Sequence, residues 1–461
     1  MKGPSAMIAI PRAAARAFRA LAKKCLAGRP RGPAPPVVIR VRAGVLTLWS
    51  RIESVGLRYS VAAPAAESET LLVPMDLLAA IEGPRSDPVS LAVDAKLQGT
   101  ASWTDGGEAK AHSFQAIPPG KQHAVPALPE LTPMPDAFRT ALHECGRTAA
   151  REANRFVLTH VQIRGESGHV IGTDSKYLLV WGGFPLPFSE SVLVPAIPVF
   201  GSRELADETD IRIGRTEAEV VVACGPWSVH LPIGSGKFPD ALSILPQPES
   251  CSSVTLDDAQ AAELLLALPA LPGAASEDRA VTLDLSEGLT VRARDEATEV
   301  AQEVSLAVAV DGSQLAAAVN RTAIERALRL GCRTLLVPRG VRLLALEGPD
   351  RVFAIATLES SAIVPSANRT SPRSAVSSLR SGPMKPVNGP AANGRHPPTP
   401  SEPETFDPLA EAEAIRLLVV EVGSRLARLI GTLRSSRKEK KVLANVWAGL
   451  KQLNLAPGGT Q

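Results

Sequence analysis

The sequence has few aromatic side chains. Phe, Trp and Tyr together make up 4% of its 461 residues, although its hydrophobic content is 45%. We therefore expect cores built from Leu, Val, Ile and Ala. The scarcity also argues against recognition of single-stranded nucleic acid, because proteins with that function stack bases on aromatic rings. A chain of this length is long enough for about three domains, at roughly 100–200 residues per domain.

Cysteine and histidine occur without the spacing of a metal or redox site. The five cysteines include no Cys-x-x-Cys pair, and the seven histidines are scattered with no His-Glu-x-x-His motif. We therefore expect reduced, mostly buried thiols in a cytoplasmic protein that needs no metal and no cofactor. No apolar run reaches the roughly 20 residues that a membrane-spanning helix requires.

Motifs of enzymes are also missing. The stretch 234–237, Gly-Ser-Gly-Lys, is similar to part of a phosphate-binding loop. However, Leu231 stands where that loop needs glycine, and Phe238 stands where it needs Ser or Thr. Asp174 and Asp240 lie beside turn-forming residues, so we interpret them as turn and capping residues, not as a catalytic pair. We predict no enzymatic activity and no catalytic residues.

Acidic side chains are absent from the first part of the chain. The net charge of +3 is too small to establish a polyanionic partner, but this uneven distribution predicts one strongly positive face. An organelle transit peptide is the alternative interpretation of such an N-terminus. No Asp or Glu precedes Glu53, whereas the basic residues before it include Arg12, Arg16, Arg19, Lys23, Lys24, Arg29, Arg31, Arg40, Arg42 and Arg51.

One pattern repeats at the length of a whole domain. Residues 71–74 (Leu-Leu-Val-Pro) precede a short helical run and an alternating strand, and residues 192–195 (Val-Leu-Val-Pro) open a similar series. A third copy would have strands at 280–284, 289–293 and 304–310 and a helix at 321–330. Tandem copies at this length indicate one fold used three times. We predict an α+β protein, with helices on one side of strand-rich domains at 1–126, 127–248 and 249–359.

Basic residues form rows on the predicted helices. A single row is often only a solvated face, but repeated cationic faces without interleaved aromatics suit non-specific phosphate contacts with duplex DNA. The opening helix of the third copy, 256–268, instead offers Asp257, Asp258 and Glu263, and basic residues fall on its later helix. The helix residues predicted to contact DNA are Arg12, Arg16, Arg19, Lys23, Arg139, Arg147, Arg151, Arg321, Arg326 and Arg329.

Five short segments carry a resemblance to a known family. They are Arg-Phe-Val-Leu-Thr-His from 155, Gly-Thr-Asp-Ser-Lys-Tyr from 172, Gly-Lys-Phe-Pro-Asp from 236, Gly-Arg-Pro at 28–30 and Ala-Val-Asn at 318–320. In this order they resemble the β subunit of bacterial DNA polymerase III, the DNA sliding clamp. The resemblance extends over roughly residues 12–358.

The resemblance implies three tandem copies of the DNA-clamp domain, with sheets outside and helices lining a ring. The ring would be a head-to-tail homodimer around double-stranded DNA, without an active site. Arg29 matches the DNA-contacting loop arginine of the family. By the same resemblance, the DNA polymerase III catalytic subunit and the clamp loader would bind through peptide motifs. Their site would be a hydrophobic pocket between the second and third domains.

The implied pocket departs from the family pattern. Ser-Lys stands at 175–176 where the family commonly has Gly-His, and Ala-Thr-Leu stands at 356–358 where it has Met-Pro-Met. We therefore expect a changed peptide specificity. Core packing is the alternative interpretation for the Leu, Pro and Ile of this set. The implied pocket residues are Arg155, Leu158, Thr173, Ser175, Lys176, Leu178, Pro239, Ser243, Ile244, Ala354 and Ala356.

A further segment follows the clamp-like part. Residues 360–407 are rich in Pro, Ser, Asn and Gly, which predicts a disordered linker. Residues 408–455 have the apolar spacing of a helical hairpin or coiled coil, for self-association or an unknown partner. Membrane-surface binding through 434–441 is an alternative, although no membrane partner is expected. The sequence Gln-Leu-Asn-Leu-Ala at 452–456 is similar to clamp-binding peptides, although Ala456 lacks their final aromatic ring. We hypothesise that it occupies the clamp pocket, and the alternative is the last turn of an amphipathic helix.

Two functions remain open at this point. The first is a sliding clamp that encircles duplex DNA and tethers the replicative polymerase. The second is a clamp-fold interaction scaffold that no longer encircles DNA and acts through its C-terminal helices. The acidic third opening helix and the altered pocket favour the scaffold, whereas the two basic helix rows and Arg29 favour the clamp.

Overall fold

A computed structural model describes residues 6–26, 32–63, 68–84, 87–151, 157–295, 300–340 and 342–366. The predictions for Arg29, Arg155, the linker beyond 366 and the C-terminal helices fall outside these residues. Within them one order of elements occurs three times: a strand, a helix, four strands, a second helix and three strands, except that the third repeat has five strands between its helices. We name these the first, second and third repeats. The predicted α+β class is confirmed.

The first helix of the first repeat has alanine at six of its thirteen positions, and the repeat ends with a tight hairpin. Gly106 and Gly107 form the hairpin turn with φ of 60° and 89°, the left-handed conformation that a two-residue turn favours. Its elements are β1 (Ala6–Pro11), α1 (Arg12–Lys24), β2 (Val37–Arg42), β3 (Val45–Ile52), β4 (Val55–Ala62), β5 (Glu69–Val73), α2 (Met75–Ile81), β6 (Pro88–Val93), β7 (Gln98–Asp105) and β8 (Glu108–Gln115).

The second repeat follows the same order with a shorter second helix. The helical run expected after residue 195 is a 3₁₀ turn at Pro198–Gly201 followed by one helical turn. Its elements are β9 (Thr132–Met134), α3 (Ala137–Thr148), β10 (His160–Arg164), β11 (His169–Thr173), β12 (Tyr177–Trp181), β13 (Ser191–Pro195), α4 (Arg203–Ala206), β14 (Ile211–Arg215), β15 (Glu219–Cys224) and β16 (Trp227–Pro232).

The third repeat has well-capped helices. Asp257 accepts a hydrogen bond from the backbone N–H of Gln260, and Asn320 accepts one from Thr322. The prediction of a single strand at 304–310 was wrong, because two separate strands cover this region. The elements are β17 (Cys251–Thr255), α5 (Asp258–Ala270), β18 (Ala280–Asp284), β19 (Leu289–Arg294), β20 (Ala301–Leu306), β21 (Val310–Asp311), β22 (Ala316–Asn320), α6 (Arg321–Arg329), β23 (Thr334–Pro338), β24 (Leu343–Gly348) and β25 (Arg351–Ala356).

Two of the four antiparallel sheets run from one repeat into the next. An eight-stranded sheet has the order β5-β2-β3-β4-β16-β15-β14-β9, and a nine-stranded sheet has the order β13-β10-β11-β12-β25-β24-β23-β17-β21. The other two sheets have four strands each, β1-β6-β7-β8 and β20-β19-β18-β22. The repeats are therefore joined by backbone hydrogen bonds. Within the described residues, β8 and β20 are each an edge strand of one of the four-stranded sheets.

The buried core is mainly aliphatic, as the composition predicts. Leu, Val, Ile and Ala dominate it, with Phe18, Phe138 and Phe353 among its few fully buried aromatic side chains. Four cysteines are buried free thiols, and Cys251 is half-buried. Among the described residues, no group of His, Cys, Asp and Glu is arranged to hold a metal ion. No helix in this part of the chain has both the length and the apolarity to cross a membrane.

Candidate functional site

Arg12, the first residue of α1, is buried and makes contacts within the first repeat. Its guanidinium donates to the carbonyl oxygens of Ile81 at 3.1 Å and Glu82 at 3.2 Å, and to Asp105 at 3.1 Å. It also lies over the ring of Trp103, 5.7 Å from the centroid. Helical spacing placed Arg12 in an exposed row, which was wrong for this side chain. It anchors α1 to α2 and is not available to a phosphate.

The other predicted cations of α1 are more accessible. Arg16 and Lys23 are exposed, whereas Arg19 is half-buried and paired with Glu82 through a 2.7 Å contact from its Nε. Lys24, which the predicted row did not include, is exposed beside Lys23. The exposed cations of α1 are therefore Arg16, Lys23 and Lys24, whereas Arg12 at its first position is buried.

The helix α3 repeats this arrangement in part. Arg147 has 54% of its side chain exposed, and Arg151, just beyond the helix, is also exposed. Arg139 is half-buried and donates to the carbonyl oxygen of Phe200 at 2.9 Å. Two cations at the C-terminal end of α3 thus match the position of Lys23 and Lys24 at the end of α1.

Arg321 closes the C-terminal end of the neighbouring helix α5. Only 1% of it is exposed, and its guanidinium donates to the carbonyl oxygens of Leu268 at 3.1 Å and Leu271 at 2.5 Å. The last carbonyls of a helix have no intrahelical donor, and a cation there also interacts favourably with the helix dipole. The prediction that Arg321 contacts DNA assumed an exposed side chain, and this assumption was wrong.

Arg326 connects the second and third repeats. Its guanidinium donates to the Glu144 carboxylate at 2.8 and 3.0 Å and to the Thr148 hydroxyl at 2.9 Å, and it lies 5.3 Å from the ring centroid of Phe353. Of its predicted partners on α6, only Arg329 remains exposed. Arg326 therefore holds α6 against α3 and does not form part of a free cationic face.

The charge of Glu144 is stabilised by these contacts. Burial alone would raise the pKa of Glu144. The charges of Arg326 and Arg147, together with their hydrogen bonds, outweigh burial and leave this pKa below its ordinary value. The carboxylate stays ionised in the folded protein at neutral pH.

The outer face of α5 differs from those of α1 and α3. Its exposed positions include Asp258, Glu263 and Leu266, and Leu266 is 81% exposed. No basic residue occurs in this helix. The sequence prediction of a third opening helix without cations is confirmed, and its most exposed large side chain is apolar.

The strand pair β12–β25 brings the two parts of the predicted pocket together. Leu178 is opposite Ala354 in this pair, and both belong to one apolar cluster with Leu158. Phe238 and Ala241 also belong to this cluster, although they were not among the predicted pocket residues. Both are buried. Of the predicted pocket residues, Leu178 and Ala354 are therefore buried core residues, whereas others lie at the surface.

A tight turn between β11 and β12 forms one rim of this cluster. The Asp174 carboxylate accepts the backbone N–H groups of Lys176 and Tyr177, each at 2.8 Å, so its predicted turn role is confirmed. The Thr173 hydroxyl accepts the N–H of Ser175 at 3.1 Å. Ser175 has φ of 80°, in the left-handed region that favours glycine. The side chains of Ser175 and Lys176 are exposed at this rim.

The segment after Phe238 forms the opposite rim. Pro239, Ser243 and Ile244 are exposed, with Ile244 at 57%. The Ser243 hydroxyl donates to the backbone carbonyl of Asp240 at 2.8 Å. Ile244 is thus a surface side chain, contrary to the alternative that it packs in the core.

A groove of about 520 Å³ adjoins this region in the third repeat. The backbone N–H of Ala356 donates to the carbonyl of Lys176 at 2.8 Å, and the residues directly after Ala356 line the groove. Its walls include Leu315, Ala317, Arg342, Leu343, Thr357 and Leu358. The hairpin of β24 and β25 lies against the distant strand β22, where the backbone N–H of Leu358 donates to the carbonyl of Ala318 at 2.8 Å. Local sequence patterns therefore could not predict this groove.

The threefold order of elements and the sheets shared between repeats define a DNA-clamp architecture. Solved sliding clamps have the same fold. The DNA polymerase III subunit beta from Pseudomonas aeruginosa, solved with griselimycin bound, matches with a TM-score of 0.62 at 18% identity, covering 78% of this chain and 100% of that one. The sliding clamp from Bacillus subtilis matches with a TM-score of 0.64 at 13% identity, with 78% and 100% covered.

The particular fold is that of the DNA polymerase III β subunit, as the short sequence segments indicated. No family model matches the sequence, and no curated protein matches it either. The likeness is therefore one of three-dimensional structure, with low sequence identity.

Proposed function

We propose that this protein is a DNA sliding clamp, which holds duplex DNA without sequence preference and tethers a DNA polymerase III catalytic subunit. The observation that carries the proposal is the sliding-clamp fold together with exposed cations at the ends of α1 and α3. Such cations suit phosphate contacts, whose affinity falls steeply with salt. The protein would act in the cytoplasm as a processivity factor without catalytic activity.

The free sheet edges support a head-to-tail homodimer. Within the chain, β4 of the first repeat pairs with β16, the last strand of the second, and β12 pairs with β25, the last strand of the third. By the same rule β20 of the third repeat would pair with β8, the last strand of the first repeat in a second chain. A heterologous contact generates either a closed ring or an open filament. Two such pairings would close a ring of two chains.

The helices support the same dimer. At the two joints within the chain, α1 packs on the 3₁₀ turn 198–201 that precedes α4, and α3 packs on α6. Each of these joints pairs the first helix of one repeat with the second helical element of the next. By the same rule α5 would pack on α2 of a second chain. The α5 helix adjoins the β20 edge, where Gln260 donates to the carbonyl of Ala307 at 3.1 Å. Burial against α2 would cover Leu266, and α2 exposes the small side chains Ala79 and Ala80.

The apolar cluster around Leu178 and the adjoining groove are the proposed site for peptides of the polymerase and the clamp loader. An apolar depression with a polar rim suits a short peptide with hydrophobic anchors. Lys176 on the rim would favour peptides with an acidic residue near those anchors. Partner specificity would therefore differ from that of clamps with a neutral rim.

One observation favours the scaffold alternative. Because α5 has no cation, one of the three opening helices would offer no phosphate contact to DNA. A protein that only binds other proteins would need no such contacts. The two functions differ in whether DNA is encircled, which can be measured directly.

The test is retention on nicked circular DNA after loading by the cognate clamp loader, measured by gel filtration. We expect retention that disappears when the circle is linearised, since a closed ring slides off a free end. A variant with Arg16, Lys23, Arg147 and Arg151 changed to Glu should lose at least tenfold in retention and remain dimeric.

The matched control changes four exposed cations outside the helices, Arg42, Lys96, Lys237 and Arg339, to Glu. It alters the net charge equally, and its retention should remain within about twofold of wild type. Equal loss in both variants would contradict the assignment of the DNA surface. Absence of wild-type retention with an active loader would favour the scaffold.

A further inference from the structure

Two arginines share one face of the eight-stranded sheet in the first repeat, away from the helix cations. Arg40 on β2 is opposite Thr47 on β3, and Thr47 is opposite Ser60 on β4. Directly opposite residues of paired strands point to the same face, as do residues two apart along a strand. Arg58 lies two residues before Ser60, and its Nε donates to the Ser60 hydroxyl at 2.9 Å. The two guanidinium groups therefore lie on the same side of the sheet.

A groove of about 220 Å³ lies between this face and the segment 119–125 that crosses it. Arg40 and Thr70 contribute from the sheet, and His123 contributes from the crossing segment. No carboxylate occurs among the described residues that line the groove. Arg58 marks one end of it, where a guanidinium nitrogen donates to the carbonyl of Pro126 at 3.4 Å. The groove is cationic and has apolar walls from Val38, Leu72 and Val125.

The positive charge of this site has no counter-charge among its described neighbours. The Nε of Arg40 is buried without a hydrogen-bond partner in the described part of the chain. Burial and the charge of Arg40 both lower the pKa of Arg58. An unpaired, partly buried charge is costly in free energy, and so is a buried donor without an acceptor. An anion in the groove would relieve both costs.

His123 supplies another donor at the groove. Its Nδ1 accepts the backbone N–H of Gly120 at 3.3 Å, so in the neutral imidazole the proton is on Nε2. The site thus offers the guanidinium fork of Arg40, the Nε2–H of His123 and the hydroxyl of Thr70. Several donors that line one groove suit an oxyanion with several acceptor oxygens, and the planar fork of arginine suits phosphate geometry.

We propose that the groove between β2 and the segment 119–125 binds a small oxyanion of the phosphate class, held by Arg40 with Thr70 and His123. The apolar wall leaves room for a small organic group attached to the phosphate. This site is distinct from the DNA-facing helices and from the peptide groove, and it does not depend on the proposed clamp function. Occupation would stabilise the segment 119–125, which connects the first repeat to the second.

The experiment titrates the full-length protein with inorganic phosphate and with pyrophosphate by isothermal calorimetry at constant ionic strength. We expect saturable binding of one anion per chain. Arg40→Gln should weaken binding at least tenfold. The control, Arg42→Gln, removes the same charge from an exposed position two residues along β2, and it should bind within twofold of wild type. Circular dichroism establishes that both variants are folded.

Arg40→Lys keeps the charge and removes the fork, so it should also weaken binding severalfold. Wild-type affinity in Arg40→Lys or in Arg40→Gln would overturn the proposal, as would binding that does not saturate. The variant with four reversed helix cations should bind phosphate as wild type does. Loss of phosphate binding in that variant would assign the anion to the DNA surface and would also overturn the proposal.

Discussion

At the residue scale, the contact between Glu144 and Arg326 is the main ionic connection between the second and third repeats. The two side chains are 11% and 19% exposed, and Thr148 and Phe353 surround the guanidinium. Removing one partner of such a pair leaves the other charge buried and uncompensated, which costs more than the pair itself contributes. The pair therefore sets how firmly α6 is held on α3.

We predict that Glu144→Gln lowers the free energy of unfolding by about 3 kcal/mol, the lower end for breaking a buried pair. Urea denaturation followed by circular dichroism measures the change. The matched control is Glu263→Gln on the exposed face of α5, which should change stability by less than about 0.5 kcal/mol. Equal effects of the two substitutions would mean that the contact contributes nothing to stability.

His230 is a second residue whose charge state matters for folding. It is 1% exposed on β16, its Nδ1 lies 3.1 Å from the Glu219 carboxylate, and its ring centroid lies 4.9 Å from that of Trp49. Burial lowers the pKa of His230, the Glu219 contact raises it, and the charges of Arg51 and Arg58 lower it, with a net decrease. Its Nε2 is buried without a partner among the described residues. The neutral imidazole is therefore the stable form in the folded chain.

We predict that stability falls as the pH decreases from about 7 to 5. Because the pKa of His230 is lower in the folded than in the unfolded chain, the unfolded chain binds more protons below the ordinary value of about 6.5. His230→Gln should reduce the slope of unfolding free energy against pH. Some slope should remain, because burial also lowers the pKa values of His143 and His169. An unchanged slope in His230→Gln would contradict this assignment.

At the element scale, β8 presents backbone groups that no described strand pairs with. The N–H of Ala116 points to β7, since it donates to the carbonyl of Leu97 at 2.8 Å. Hydrogen-bonding direction alternates along an antiparallel strand, so the N–H of Ala111 points to the free edge. Such an edge is a template for pairing with another chain. In the proposed dimer it pairs with β20.

We predict that Ala111→Pro converts the dimer to a monomer at micromolar concentration, because proline removes an N–H on the free edge and spares the β7–β8 ladder. Light scattering coupled to gel filtration measures the mass. Ala111→Gly retains the N–H and should remain dimeric. A dimeric proline variant with wild-type stability would show that the chains associate through another surface.

At the scale of the whole molecule, much of the fold could be predicted from local patterns. The repeated Val-Pro strand ends and the alternating apolar positions indicated tandem α+β copies, and helical spacing correctly placed Arg16, Lys23 and Arg147 on solvent-facing positions. These features depend on neighbours within a few residues. The short segments that resemble the clamp family then indicated the fold that the solved structures share.

The remaining features depend on partners that are distant in the sequence. Arg12 and Ile81 are 69 residues apart, and Arg326 and Glu144 are 182 apart, so spacing along a helix could not distinguish these buried arginines from exposed ones. The peptide groove depends likewise on the pairing of β12 with β25. Arg12 and Arg321 are the first residues of their helices, and both contact the end of a neighbouring helix. Helical spacing alone is least able to predict the burial of such residues.

The sheets that pass from one repeat to the next make the repeats dependent on one another during folding. If the chain were cut between β8 and β9, strand β4 would lose its partner β16. The excised first repeat would then have an additional unpaired sheet edge. A cut between β16 and β17 would likewise separate β12 from β25. The boundaries at which the sequence repeats are therefore not boundaries of autonomous folding. Melting one repeat removes hydrogen-bond partners from the next, so the three repeats should lose their structure as one cooperative body.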